Sequence, residues 1–136
     1  MIWIYRILVA ALLPLVIPVL KIRDRLRGKR RPSFSGRFAR DLPDLPTGCL
    51  WLHAVSVGEV LAARGLVARL RAAWPDATLV ISCTTAAGLE MARRTYPGLA
   101  VRESPLDLSF AVGSFLRKVQ PAMLVLVELE LWPNLL

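Results

Sequence analysis

The residues with the most chemical content fall in three turns. The first is His53-Ala54-Val55-Ser56-Val57-Gly58-Glu59. Gly58 permits a tight turn, and a helix starting there presents unpaired backbone N–H groups that hold a phosphate or carboxylate, with the Ser56 hydroxyl as a further donor. The same residues also spell a capping box, with Ser56 as N-cap and Glu59 returning to it three residues later, and spacing alone favours that account. The second turn, Ser82-Cys83-Thr84-Thr85-Ala86-Ala87-Gly88, is rich in hydroxyls ahead of another helix and suits either capping or contact with an anion or a sugar. The third, Glu128-Leu129-Glu130-Leu131-Trp132-Pro133-Asn134, puts two carboxylates two residues apart at a strand end, where they point the same way and repel if both are buried and charged. At least one of them should receive hydrogen-bond donors or face a polar cleft. Trp132, just before a proline, suits packing better than stacking on a sugar. His53 is the only histidine, so a histidine-dependent metal site or triad would rest on it alone, and inside a strand it fits a satisfied core group better. Cys49 and Cys83 lie in or beside apolar runs without metal-ligand spacing and are expected as buried thiols in a reducing compartment.

The elements that must position these turns alternate. Residues 49–56 form a buried strand pattern, after which Val60, Ala63, Val67, Leu70 and Trp74 recur at helical spacing until Pro75. A strand over 77–83 follows, then a helix over 88–96 that Pro97 ends. A weaker strand over 100–103 leads past Pro105 to a helix with Val112, Phe115, Leu116 and Val119 on one face, and 123–129 is a further apolar strand. Strands alternating with helices of this length predict a parallel sheet covered on both faces, a Rossmann-like α/β domain over residues 49–136. Ligands of such sheets bind beyond the carboxyl ends of the strands, where all three turns fall.

The chain has 136 residues, enough for one ordinary domain, and its 55% hydrophobic content is high for a purely soluble one. The excess is concentrated in residues 2–20, which carry a single charge, Arg6. Lys21, Arg23, Arg25, Arg27, Lys29, Arg30 and Arg31 follow at once, opposed only by Asp24, so most of the net charge of +8 sits directly behind the apolar run. That placement points to anionic lipid and away from nucleic acid. The run just meets the length of a transmembrane helix, Trp3 and Tyr5 stand at an interfacial position, Arg6 is near enough to the end to snorkel, and Pro14 and Pro18 are tolerated in a membrane. A cleaved signal peptide would carry its basic residues before the apolar stretch; here they come after, which by the positive-inside rule keeps the globular part in the cytoplasm. The expected organisation is a membrane-anchor helix over 1–22, a basic linker over 23–48 and the α/β domain over 49–136. A helix lying flat in the interface is the alternative for the first segment.

Taken together, these residues resemble the 3-deoxy-D-manno-octulosonic acid (Kdo) transferase family over nearly the whole chain. The resemblance is carried by the apolar leader with its basic stretch, by His53-Ala54-Val55-Ser56-Val57-Gly58-Glu59-Val60, by Thr84-Thr85 with Gly88 and Glu90, and by Glu128-Leu129-Glu130-Leu131-Trp132-Pro133-Asn134-Leu135. It implies a GT-B glycosyltransferase, two Rossmann-like domains facing a cleft, with no metal or other cofactor. The reaction implied moves Kdo from CMP-Kdo to a lipid A precursor at the cytoplasmic face of the inner membrane, in lipopolysaccharide biosynthesis. The N-terminal domain would bind the lipid acceptor, while most of the CMP-Kdo contacts would come from a C-terminal domain outside these residues. The 136 residues alone should then be inactive, because one domain cannot hold both substrates in attack geometry. The implied substrate-binding residues are Arg37, Ser56, Gly58, Glu59, Thr84 and Glu130. In the family, a Gly-Glu-Arg-Phe/Tyr-Gly segment precedes the first strand, and its Glu is taken as the base that deprotonates the acceptor hydroxyl. The matching segment here is Ser35-Gly36-Arg37-Phe38-Ala39, so Gly36 stands at the position of the base, and Leu129 replaces a Thr usual between the last two carboxylates. Since glycine accepts no proton, either another carboxylate such as Glu59 or Glu130 substitutes, or the protein is weakened or inactive as a transferase. Two other expectations stand beside this one: another membrane-associated GT-B transferase, and a membrane-tethered module that binds acidic lipid without catalysis.

Overall fold

Cys49–Ala54 and Leu79–Cys83 are buried along their whole length, so both faces of each strand need a covering layer, as the near-continuous apolar sequence demands. The computed structural model describes residues 2–26, 34–39, 42–129 and 132–135. In chain order its elements are α1 (Ile2–Leu26), α2 (Phe34–Arg37), β1 (Cys49–Ala54), α3 (Val57–Ala62), α4 (Arg64–Ala73), β2 (Leu79–Cys83), α5 (Ala86–Thr95), β3 (Ala100–Glu103), α6 (Ser109–Val119) and β4 (Pro121–Leu126). The four strands pair in parallel in the order β3-β2-β1-β4. The expected parallel α/β architecture is thus present. The chain steps outward from β1 to β3 and then returns to the other side of β1, so the winding reverses between β1 and β4. Parallel sheets open a crevice at such a reversal, at the carboxyl ends of the strands.

The period of two along β1 sends alternate side chains into two different cores. Leu50, Leu52 and Ala54 join Val60, Val67, Ile81 and Leu89 beneath α3–α5. Cys49 and Trp51 join Val80, with Phe115 and Val119 of α6, on the opposite face. The Trp51 and Phe115 rings lie 4.6 Å apart between centroids, within the range of favourable aromatic pairs.

Several boundaries differ from the sequence pattern for local reasons. The single helix expected through Trp74 is divided into α3 and α4 at Ala63, whose N–H still bonds Glu59 and whose carbonyl still accepts from Val67. β1 ends at Ala54 because Ser56 turns to become the N-cap of α3. Leu116, expected on the buried face of α6, is 37% exposed, whereas Val112, Phe115 and Val119 are buried. The 23–48 stretch, expected as a linker, supplies α2 and places Ala39 and Leu42 in the Trp51 core. Ala39 holds φ +57, a left-handed conformation that favours glycine, at the position where the resembling family carries one.

The spanning anchor expected over 1–22 needs correction: among the described residues no helix is long and apolar enough to cross a membrane. The packing of α1 gives a physical reason. Tyr5, Val9 and Leu13, four residues apart, form a stripe facing the α/β domain. The Tyr5 hydroxyl donates to Asp107 (2.5 Å) and Arg6 Nε donates to Asn134 Oδ1 (3.0 Å). These contacts hold the amino end of α1, about 24 Å from Lys21 along a helix. A helix crossing the bilayer with its basic end inside would carry that amino end to the far side, away from the domain. The outer face of α1, including Trp3, Ile4, Ile7, Leu15, Val19 and Ile22, is exposed.

Candidate functional site

The carboxyl ends of the strands meet α1 across a cavity of about 210 Å³. Its roof is the Tyr5, Val9 and Leu13 stripe; its floor is built from Trp51 and His53 of β1, Thr84 after β2, and Ser104 to Asp107 after β3, with Arg37, Trp132 and Leu135 at the sides. The lining is apolar above and carries scattered hydrogen-bonding groups below.

Each polar group on the floor has a local anchor. Ser82 Oγ, fully buried one strand over, accepts the indole N–H of Trp51 (2.8 Å) and lies 2.8 Å from His53 Nδ1. An indole N–H only donates, so Ser82 Oγ accepts from Trp51, and the direction of its bond to His53 follows the imidazole tautomer. Thr84 Oγ1 pairs with Ser104 Oγ at 3.0 Å. Arg37 Nε donates to the Ser104 carbonyl (3.3 Å), and its own carbonyl accepts from Leu106 N–H (3.1 Å), which fixes α2 against the β3–α6 loop.

Asp107 and Asn134 clamp three segments together. Asp107 Oδ2 accepts from Tyr5, Oδ1 accepts the Asn134 backbone N–H (2.9 Å), and the Asp107 carbonyl accepts from Asn134 Nδ2 (2.9 Å). Asn134 Oδ1 in turn accepts from Arg6 and from Ser109 Oγ (2.7 Å). The hydrogen bond to Asp107, then burial and then the carboxylate charge push the Tyr5 phenol up to about 12, so it remains a neutral donor.

Of the residues expected from the sequence, Arg37 and Thr84 converge on this cavity, and Ser56, Gly58 and Glu59 do not line it. Glu59 accepts the Val55 N–H on Oε2 (2.7 Å) and the Ser56 hydroxyl on Oε1 (2.9 Å), so its carboxylate holds the turn, but the expected capping box is not formed: the Ser56 side chain makes no cap hydrogen bond and Glu59 bonds Val55 N–H instead of the N-cap's own. A Cβ at Gly58 would meet nothing nearer than Ser56 Oγ at 3.9 Å, so steric need does not explain that glycine. Gly88 is different: a Cβ there would lie 3.2 Å from the Val55 carbonyl and 2.9 Å from Thr85 Oγ1. Thr85 caps α5 by accepting the Gly88 N–H and donating to the Val55 carbonyl. Glu128 is exposed, and Glu130 lies outside the described residues. Gly36 lines a second recess, with Arg93, Arg102 and Glu103.

Spacing gave no sign of Tyr5 or Asp107, which meet across 102 residues of sequence. Ser104 carried a usable signal, because it directly follows a strand of the parallel sheet. The only histidine is buried and hydrogen bonded, as its strand position suggested, yet it also faces the cavity. Cys49 and Cys83 are buried free thiols, and burial is the main force pushing Cys83 up to about 12. Among the described residues no group of three or more His, Cys, Asp and Glu side chains gathers to hold a metal ion.

A parallel sheet with a cavity at the carboxyl ends of its strands, roofed by α1, defines a Rossmann-like α/β domain. Comparison with known proteins places it further: the family described as 3-Deoxy-D-manno-octulosonic-acid transferase (kdotransferase) matches residues 27–136, and the chain belongs to that family of glycosyltransferases. A 3-deoxy-D-manno-octulosonic acid transferase of Haemophilus influenzae is 37% identical over 67% of this chain and 22% of its own length. A probable mitochondrial 3-deoxy-D-manno-octulosonic acid transferase of Arabidopsis thaliana is 34% identical over 97% of this chain and 30% of its own length. The Chlamydophila psittaci 3-deoxy-D-manno-octulosonic acid transferase is 32% identical over 87% of this chain and 28% of its own length. The chain therefore spans less than a third of these relatives.

Proposed function

We propose that this chain is the acceptor-binding half of a GT-B transferase that moves Kdo from CMP-Kdo to a lipid A precursor at the cytoplasmic face of the inner membrane. The observation that carries this reading, beyond family membership, is the cavity at the carboxyl ends of the strands, apolar under α1 and polar on its floor. A glycolipid needs both kinds of surface, one for its acyl chains and one for its sugar hydroxyls. Arg37 and Thr84 supply a cation and a hydroxyl at the polar side. The outward apolar face of α1 suits a helix lying in the membrane interface with the domain on it. The basic residues that follow the apolar run then meet anionic headgroups, each contributing about 1 kcal/mol near the surface. Donor binding belongs, in this reading, to the part of the longer relatives that this chain does not span.

The test is transfer by the full-length protein that contains this chain. Incubated with a lipid A precursor and CMP-Kdo, it should yield glycolipid heavier by one or more Kdo residues in the mass spectrum. An unchanged acceptor mass would overturn the reading. The alternative of a lipid-binding module without catalysis draws on Gly36 and predicts retention on vesicles containing the acceptor with no mass gain. Transfer of a different sugar to a different lipid-linked acceptor would identify another membrane-associated GT-B enzyme.

A further inference from the structure

Residues 2–20 of α1 carry one charge, Arg6, so the helix is apolar on every side. A helix of that kind needs cover all round, from protein or from lipid. Only one stripe has it here. Tyr5, Val9, Leu13 and Ile17 are half-buried, whereas Trp3, Ile7, Leu15 and Val19 are exposed. The covered stripe rests on the cavity at the strand ends, which Tyr5, Val9 and Leu13 line.

Tyr5 gives this packing a polar end, since its hydroxyl donates to Asp107 Oδ2 (2.5 Å). The carboxylate is aimed without its help. Oδ1 accepts the Asn134 N–H (2.9 Å) and the Asp107 carbonyl accepts from Asn134 Nδ2 (2.9 Å), and both bonds lie within the α/β domain. Lifting Tyr5 away therefore leaves Oδ2 at the cavity, oriented for another hydroxyl. A hydroxyl on the carboxylate with aliphatic side chains behind it is also the order of groups in a glycolipid. Volume decides whether helix and glycolipid could share the site. About 210 Å³ remains under α1, below the roughly 300–1,000 Å³ of sites that take drug-sized ligands. An acylated sugar is at least as large as such ligands, so it enters only when α1 has left.

Resting on the transferase reading above for the identity of the ligand, we infer that Asp107 binds a sugar hydroxyl of the acceptor and that α1 occupies this place in cis. The Tyr5 phenol stands where the hydroxyl goes, and the stripe behind it fills the room of the acyl chains. An anionic lipid surface releases the helix: it covers the exposed apolar face and meets Lys21, Arg23, Arg25 and Arg27, which follow the apolar run. The site then opens where the acceptor is, and stays closed elsewhere.

Two measurements on the full-length protein test this. Thr84→Cys places a thiol on the cavity floor, while Cys49 and Cys83 are buried. Its labelling by a maleimide should be slow in buffer and at least about tenfold faster with vesicles of equal parts phosphatidylcholine and phosphatidylglycerol. Adding Tyr5→Phe, which keeps the stripe and deletes the donor, should speed labelling without vesicles by about threefold or more. The second measurement is transfer. In a Tyr5→Phe background Asp107→Asn keeps an oxygen for the Asn134 N–H and loses the charge, so the acceptor KM should rise by about threefold or more with little change in kcat. Were Asp107 only a tie for Tyr5, that second substitution would leave KM where it was. Labelling indifferent to vesicles and to Tyr5→Phe would overturn the occlusion by α1, and an unchanged KM would overturn the role of Asp107. If the unsubstituted protein moves no sugar, the transferase reading fails and the acceptor assignment with it, while labelling still decides whether α1 closes the cavity.

Discussion

Ser82→Ala isolates the energetics of the cavity floor. Its hydroxyl, fully buried, serves Trp51 Nε1 and His53 Nδ1, each at 2.8 Å. Removing it leaves the indole N–H without its acceptor, a cost of about 1–3 kcal/mol for a buried donor, and removes the bond to His53, about 0.5–1.5 kcal/mol more. The expected loss is about 1.5–4.5 kcal/mol, a large part of the roughly 5–15 kcal/mol that holds a domain folded. Urea unfolding of the chain in mild detergent, followed by tryptophan fluorescence, measures it as a shift in midpoint at constant slope. A double-mutant cycle sharpens the assignment: Trp51→Phe removes the stranded donor, so Ser82→Ala should cost about 1–3 kcal/mol less in that background. A loss below about 0.5 kcal/mol, or equal losses in both backgrounds, would refute the claim that this hydroxyl ties the two aromatic side chains to the sheet.

Gly88→Ala should destabilise the chain, because its Cβ would press on the Val55 carbonyl and Thr85 Oγ1 at 3.2 and 2.9 Å. Overpacking costs about 1–3 kcal/mol and a better helix former returns at most about 1, so thermal melting should show a lower Tm, and a higher one would contradict the close approach. The docking of α1 should loosen in alkali. Tyr5 is raised from 10.0 to about 12, so its neutral form contributes stability that is complete below pH 10 and is lost as the pH rises through about 12. Absorbance titration near 295 nm should lose a late phenol transition in Tyr5→Phe, leaving that of Tyr96, which burial also pushes up; a Tyr5 transition near pH 10 would refute the bond to Asp107.

The sheet was legible because its central strands are buried on both faces, which writes them as unbroken apolar runs between helical repeats. Ser56 and Glu59 were legible as a local pair, since the two side chains find each other within one turn, but the capping bonds that the spacing suggested are not made. Arg37 and Thr84 were found through strand-end logic and motif, and they do share a cavity. What spacing could not carry is long-range pairing. The contact of Tyr5 with Asp107 depends on where α1 settles after the sheet has formed, and hydropathy alone read that helix as a span.

The stretch before the first strand looks dispensable by composition, yet Ala39 and Leu42 sit against Trp51 and Phe115. Leu45 N–H and Lys118 Nζ add tethers, to the carbonyls of Lys118 and Leu42 respectively. A shortened protein that begins at Gly48 would uncover the indole and the flank of α6, and insolubility after such trimming would say nothing about lipid affinity. Cleavage between residues 26 and 34 removes the apolar helix and leaves this underlayer whole, which makes it the boundary for separating the behaviour of the helix from that of the domain.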